Sequence, residues 1–187
     1  MKRMILVAMM MAAVCAQAET KIGTVNMLKL VRNHSSYEAN QQLLQTTQKD
    51  YQKKLDKLKE AAESLANEGK KMAEQARSPM LAAAAKAKLE KDLADMQQKF
   101  MQAQQDLRAE AMRSEQELSD LESRLLKATT DDLNTRLQSF AVQNGYAMIV
   151  NVTACPYADK KLDVTDEVLK SMGVDPTKAK EFSDEGK

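Results

Sequence analysis

Between Ser36 and Gln143 the chain contains a single proline, Pro79, and its large apolar residues recur at alternating steps of three and four. Such spacing lines one stripe of an α-helix, because about 3.6 residues make a turn. Before the proline the stripe reads Leu44, Tyr51, Leu55, Leu58, Ala62, Leu65, Met72 and Ala76, with Gln48 and Gly69 in the remaining seam positions. After it come Leu89, Leu93, Met96, Phe100, Ala103 and Leu107, then Ala111, Leu118, Leu121 and Leu125, and finally Leu133, Leu137 and Phe140. The step of four to Ala111 follows another step of four, a stutter that loosens a supercoil locally. Ser35 with Glu38 has the form of a capping box at the start of the first helix. Ser78 and Pro79 suit the N-cap and first turn of the second, which Asn144-Gly145 closes. The pattern predicts a long antiparallel helical hairpin over 36–143 with its tip near 77–80. Forty residues of helix make an arm of about 60 Å.

A hairpin of this kind buries one narrow stripe per helix and leaves the rest in water. That accounts for a chain of 187 residues in which 43% are apolar and 29% charged, yet only 4% aromatic, with no Trp. There is a seam to fill and little core. Five Gly and three Pro exclude a collagen-like or loop-rich chain. Lys and Arg total 28 against 27 Asp and Glu, so the basic excess of a nucleic-acid binder is missing. The one histidine, His34, flanks a helix start, and no Cys/His set has metal-ligand spacing. A Gly-rich phosphate loop and a nucleophile elbow are both absent from the sequence. Asp131 and Asp132 diverge by about 100° on a helix, and Asp166 and Glu167 suit a first turn. The expectation is a protein that is not an enzyme and uses no cofactor or metal.

The two ends of the chain read differently. Lys2 and Arg3 precede an apolar run from Met4 to Val14, and Ala16-Gln17-Ala18 has the small-x-small form of a signal-peptidase site. The run is too short to span a bilayer, which takes about 20 residues. Val14 is larger than the residue expected before a lipidated cysteine, which argues against such a role for Cys15. Residues 1–18 are therefore expected to be a signal peptide, leaving Cys155 as the only cysteine of an exported chain, either a small buried thiol, the favoured reading, or one that pairs between chains. KIGTVN, from Lys21 to Asn26, alternates as a short strand. YAMIVNV, from Tyr146 to Val152, is a nearly continuous apolar run, as in a strand covered on both faces. Thr165 is expected to cap a short helix ended by Gly173, and 174–187 to be a flexible tail. The fold class is α+β, mostly α: the hairpin is inserted in a small β-body made of 19–35 and 144–173. So few strands are unstable alone in water, and oligomerisation is expected to bury Ile22, Val25, Met148, Ile149 and Val150.

With KIGTVNM near the mature start, QNGYAMIVN after the helices and YADKKLDVTDEVLKSMG near the end, the chain resembles the Skp/OmpH family of periplasmic chaperones. The two flanking blocks, in this order behind a signal peptide, carry the resemblance, since any coiled coil matches the middle. The resemblance implies a homotrimer in the periplasm of a Gram-negative envelope. Strands of three subunits would form a central β-barrel, and three helical hairpins would enclose a cavity that shields unfolded outer-membrane proteins in transit.

A protein that shields such chains needs soft, adaptable contact surface, which methionine supplies. Met80, Met101 and Met112 fall off the seam and are the client-contact candidates, whereas Met72 and Met96 fill it. Charge departs from the family's strongly basic arms: residues 34–78 carry eight basic and seven acidic side chains, and 79–143 nine and eleven. A turn near residue 78 would set Lys49 and Lys53 of the cluster Lys49, Lys53, Lys54, Lys57 and Lys59 beside Asp106 and Arg108. Solvated faces with some pairing across the hairpin follow, and binding to membrane or lipopolysaccharide is not carried over from the family. The alternative is a structural coiled-coil spacer of the envelope with no client, which has no need of QNGYAMIVN or of strands from both chain ends.

Overall fold

The computed structural model describes residues 20–180; the signal-peptide expectation for 1–18, with Cys15, and the end of the expected tail lie outside the described residues. In chain order the elements are strand β1 (Lys21–Val25), helices α1 (Met27–Arg32), α2 (Tyr37–Ala76) and α3 (Ala83–Asn144), strand β2 (Tyr146–Asn151) and helix α4 (Thr165–Ser171), with three short 3-10 turns after β2. They form two compact units, His34–Asp131 and a second unit of the flanking segments, up to Asn33 and from Asp132 onward.

The flanking unit is built on β1 and β2, which pair in parallel with Ile22 opposite Met148, Gly23 opposite Ile149, Thr24 opposite Val150 and Val25 opposite Asn151. On the other side of β1, the Val164 N–H donates to the Thr24 carbonyl at 2.9 Å. Packed beneath are Val25, Leu30, Leu133, Phe140, Val164, Val168 and Leu169. Gly23 is required by space: a Cβ there would lie 3.1 Å from Val164 Cγ2 and 3.2 Å from Tyr146 Cε1. Gly145, with φ of +71°, ends α3 as the sequence predicts. At the end of α4, Gly173 takes φ of +80°, and the Val174 and Gly173 N–H groups return to the Leu169 and Lys170 carbonyls.

Several local expectations change. MLKLVR is a helical turn capped by Asn26, whose Oδ1 accepts from the Lys29 N–H at 3.0 Å. Thr165 does not cap α4 with its side chain; its hydroxyl accepts the Asn26 N–H at 2.9 Å and donates to Asp163. The near part of the expected tail is held, because Asn33 Oδ1 accepts the Lys180 N–H and Val174 and Ala179 pack on the core. The five expected oligomer-core residues also divide. Val25 is buried within the chain's own core and Ile149 packs against it, whereas Ile22 and Met148 remain 42% and 56% exposed and Val150 half-buried. Alternation along paired strands explains this, since Ile22 and Met148 point away from the face that Val25 and Ile149 present to the core.

The second unit is the antiparallel hairpin. Each step toward the tip on α2 is answered by a step back on α3. Asn40 Nδ2 donates to Thr129 Oγ1, Tyr51 to Glu117 and Lys54 to Glu110, while Gly69 lies beside Met96. The expected seam leucines are half-buried and Ala62 is buried, but Thr47 replaces Gln48 in the seam. The capping box is not formed: Ser36 is the N-cap residue, and its hydroxyl meets His34 Nδ1 at 2.8 Å. Ser78 and Pro79 belong to the connecting turn and α3 starts at Ala83. This later start displaces the register, so Lys54 meets Glu110 and the expected pairing of Lys49 and Lys53 with Asp106 and Arg108 is not made.

Two glycines give opposite predictions. Gly23→Ala should lower stability by about 1–3 kcal/mol, because the added methyl overfills a packed sheet. Gly69→Ala should raise it by about 0.5–1 kcal/mol, since helical glycine is costly and the new Cβ would meet only Met96 Cγ, at 3.5 Å. Urea unfolding followed by circular dichroism measures both; the same sign for the two changes would contradict the packing described.

Candidate functional site

The hairpin unit carries the exposed apolar surface that the seam cannot absorb. Met80, in the connecting turn, is 94% exposed, and Met101 and Met112 on α3 are 58% and 72% exposed. Met72 and Met96, at seam positions, are half-buried. Eleven residues separate Met101 from Met112, about three turns, so both lie on nearly the same side of α3 roughly 16 Å apart. Leu43 and Leu126 are also exposed, and the sequence analysis missed them. The signal was available: each is half of a Leu-Leu pair, with Leu44 and Leu125 in the seam, and consecutive residues on a helix cannot both face one stripe.

Midway along the hairpin the seam turns polar. The Tyr51 hydroxyl donates to Glu117 Oε2 at 2.7 Å, Arg113 Nε donates to Glu117 Oε1 at 2.8 Å, and Lys54 Nζ lies 2.6 Å from Glu110 Oε1. Ser114, buried, donates to Glu110 at 3.5 Å. This layer coincides with the break in apolar spacing between Ala111 and Leu118. The hydrogen bond from Tyr51, then that from Arg113, holds the Glu117 carboxyl below its ordinary range. The same bond to Glu117, reinforced by burial, pushes the Tyr51 phenol up.

Nearer the tip, α2 and α3 leave an apolar cleft of about 490 Å³ lined by Leu65, Ala66, Gly69, Ala73, Leu93, Met96 and Phe100, with Lys70 and Gln97 at its polar edge. Its cause is local, since Gly69 brings no side chain to a seam position. Among the described residues no three His, Cys, Asp or Glu side chains gather as a metal site, and no helix is long and apolar enough to cross a membrane. What this surface offers is adaptable apolar contact.

The polar layer predicts a two-sided pH dependence. A lowered carboxyl stabilises the fold above the ordinary carboxylate range and loses that contribution as pH falls through its folded value. A raised phenol stabilises below its ordinary value of about 10 and loses that as pH rises. The gap in urea midpoint between the native chain and Tyr51→Phe should be widest between about pH 5 and 9 and narrow on both sides. A gap independent of pH would remove the Tyr51–Glu117 bond from the account.

A family model for outer membrane proteins of the OmpH-like type matches residues 21–172. Among solved structures, the chain is similar to a Caulobacter crescentus protein described as OmpH-like, with a TM-score of 0.58 and 19% identity. That similarity covers 90% of this chain and 95% of the other. No curated protein matches the chain.

Proposed function

Since the chain belongs to the OmpH-like family of outer membrane proteins, we propose that it is a periplasmic holdase, a homotrimer that shields unfolded outer-membrane proteins between its helical hairpins. The observation that carries this reading is the division of methionines on the hairpin, with Met72 and Met96 in the seam and Met80, Met101 and Met112 facing solvent. An unfolded β-barrel chain displays apolar side chains and unpaired strand edges, both of which aggregate. Methionine covers them through many weak contacts that adapt to different sequences. Weak contacts also allow release.

The trimer is supported by the two-stranded sheet, which is too small to stand alone and leaves Ile22 and Met148 exposed side by side. Those two residues, with Val150, are the proposed subunit contact; Val25 and Ile149 support it from the core side. A spacer without clients would require neither solvent-facing methionines nor this sheet.

The purified exported chain should elute as a trimer by light scattering and keep an unfolded outer-membrane barrel soluble at about one trimer per client. An intact trimer that leaves the client to precipitate would favour the spacer. Replacing Met80, Met101 and Met112 together with Gln should weaken suppression of aggregation at least several-fold while leaving helix content and trimer intact. Unchanged suppression would remove these three residues from the contact surface.

A further inference from the structure

The cleft opened by Gly69 differs in chemistry from the other grooves of the hairpin. The groove at mid-arm is lined by Tyr51, Glu117, Asp120 and Arg124, and that beside the tip by Gln75, Ser78, Lys88 and Asp92 among others. Of the residues that line the cleft at Gly69, only Lys70 carries charge. Lys70 is exposed, and Glu74 stands one turn away on the same helix. An apolar hollow with one ammonium among its lining residues complements an occupant that is apolar in the middle and negative at its edge.

Resting on the holdase reading, we propose that this cleft is a side-chain subsite for extended polypeptide. It receives one aromatic side chain of an unfolded chain, while a carboxylate two residues along the same chain meets Lys70. Spacing fixes the second half of the motif. In an extended chain successive side chains point to opposite faces, and residues i and i+2 share a face about 6.5–7 Å apart. An immediate neighbour's carboxylate would point away from the hairpin, whereas one two residues on stays within reach of a flexible lysine stem. The cleft's volume of about 490 Å³ exceeds that of a phenyl ring, and Phe100 and Met96 supply the edge and sulfur contacts that aromatic rings favour. Gly69 thus has a functional meaning: any larger side chain there would fill the hollow from within.

The test uses the intact trimer with methyl-labelled methionine and two short peptides, acetyl-Phe-Thr-Asp-amide and acetyl-Phe-Thr-Asn-amide. The Asp peptide should shift the Met96 methyl signal, leave Met172 in place, and bind at least threefold more tightly than the Asn peptide. Lys70→Gln should erase that preference, and Gly69→Leu should abolish the Met96 shift while retaining the hairpin. Equal binding of the two peptides, or an unchanged shift in Gly69→Leu, would overturn the subsite. So would a Met96 signal that responds to protein dilution and not to peptide, which would mark the cleft as a contact between copies. Client solubility measured on the same native preparation keeps the two readings apart: a soluble client with no peptide response sinks the subsite alone, and a precipitating client sinks the holdase reading.

Discussion

The parallel pairing of β1 with β2 is the constraint on which the rest of the molecule depends. Residues 21–25 and 146–151 lie more than a hundred positions apart, and parallel strands cannot be joined by a tight turn. Everything between them is therefore a crossover, and a crossover of this length must return its chain to the edge it left. Two long helices running opposite ways accomplish that with one short connection. The cost of closing so long a loop grows only slowly with its length, so the helices can be long without forfeiting the sheet.

The pairing also explains why the protein manages with few aromatic residues. One compact core, from Val25 and Leu30 to Val168 and Leu169, serves the sheet and the short helices, with Phe140 stacked on Tyr146 at 5.8 Å between ring centroids. The hairpin has no core of that kind, only a stripe interrupted by Thr47, Gly69 and the polar layer at Tyr51 and Glu117. A stripe stabilises less per residue than a core, and its interruptions leave apolar side chains and a cleft in contact with water. In a structural spacer these would be defects. In a protein that holds unfolded chains they are the working surface.

Much of this was legible in the sequence because helix and strand periodicities are local. The seam from Leu44 to Phe140, β1, β2 and the glycine ends at Gly145 and Gly173 follow from spacing and from a few special residues. Part of what escaped depended on partners distant in sequence, and part on local turns. Thr165 reads as a cap by its position, yet its hydroxyl is claimed by Asn26, 139 residues away. The Ser35–Glu38 box lost to a His34–Ser36 contact, and four residues of turn that spacing could not distinguish from helix shifted the whole register. The exposed methionines were legible as positions off the seam, and Gly69 marked a gap in it, but the size and lining of the cleft depend on which α3 residues face that gap.

The proposed holdase role places client contact on the hairpin and not on the sheet-bearing body. Methionine-methyl resonances, recorded on the protein with and without an unfolded outer-membrane barrel, test it. Met80, Met101 and Met112 should shift or broaden while Met27 and Met172, packed against the body core, stay in place. Perturbation confined to Met27, Met148 and Met172, with the hairpin signals unchanged, would contradict it.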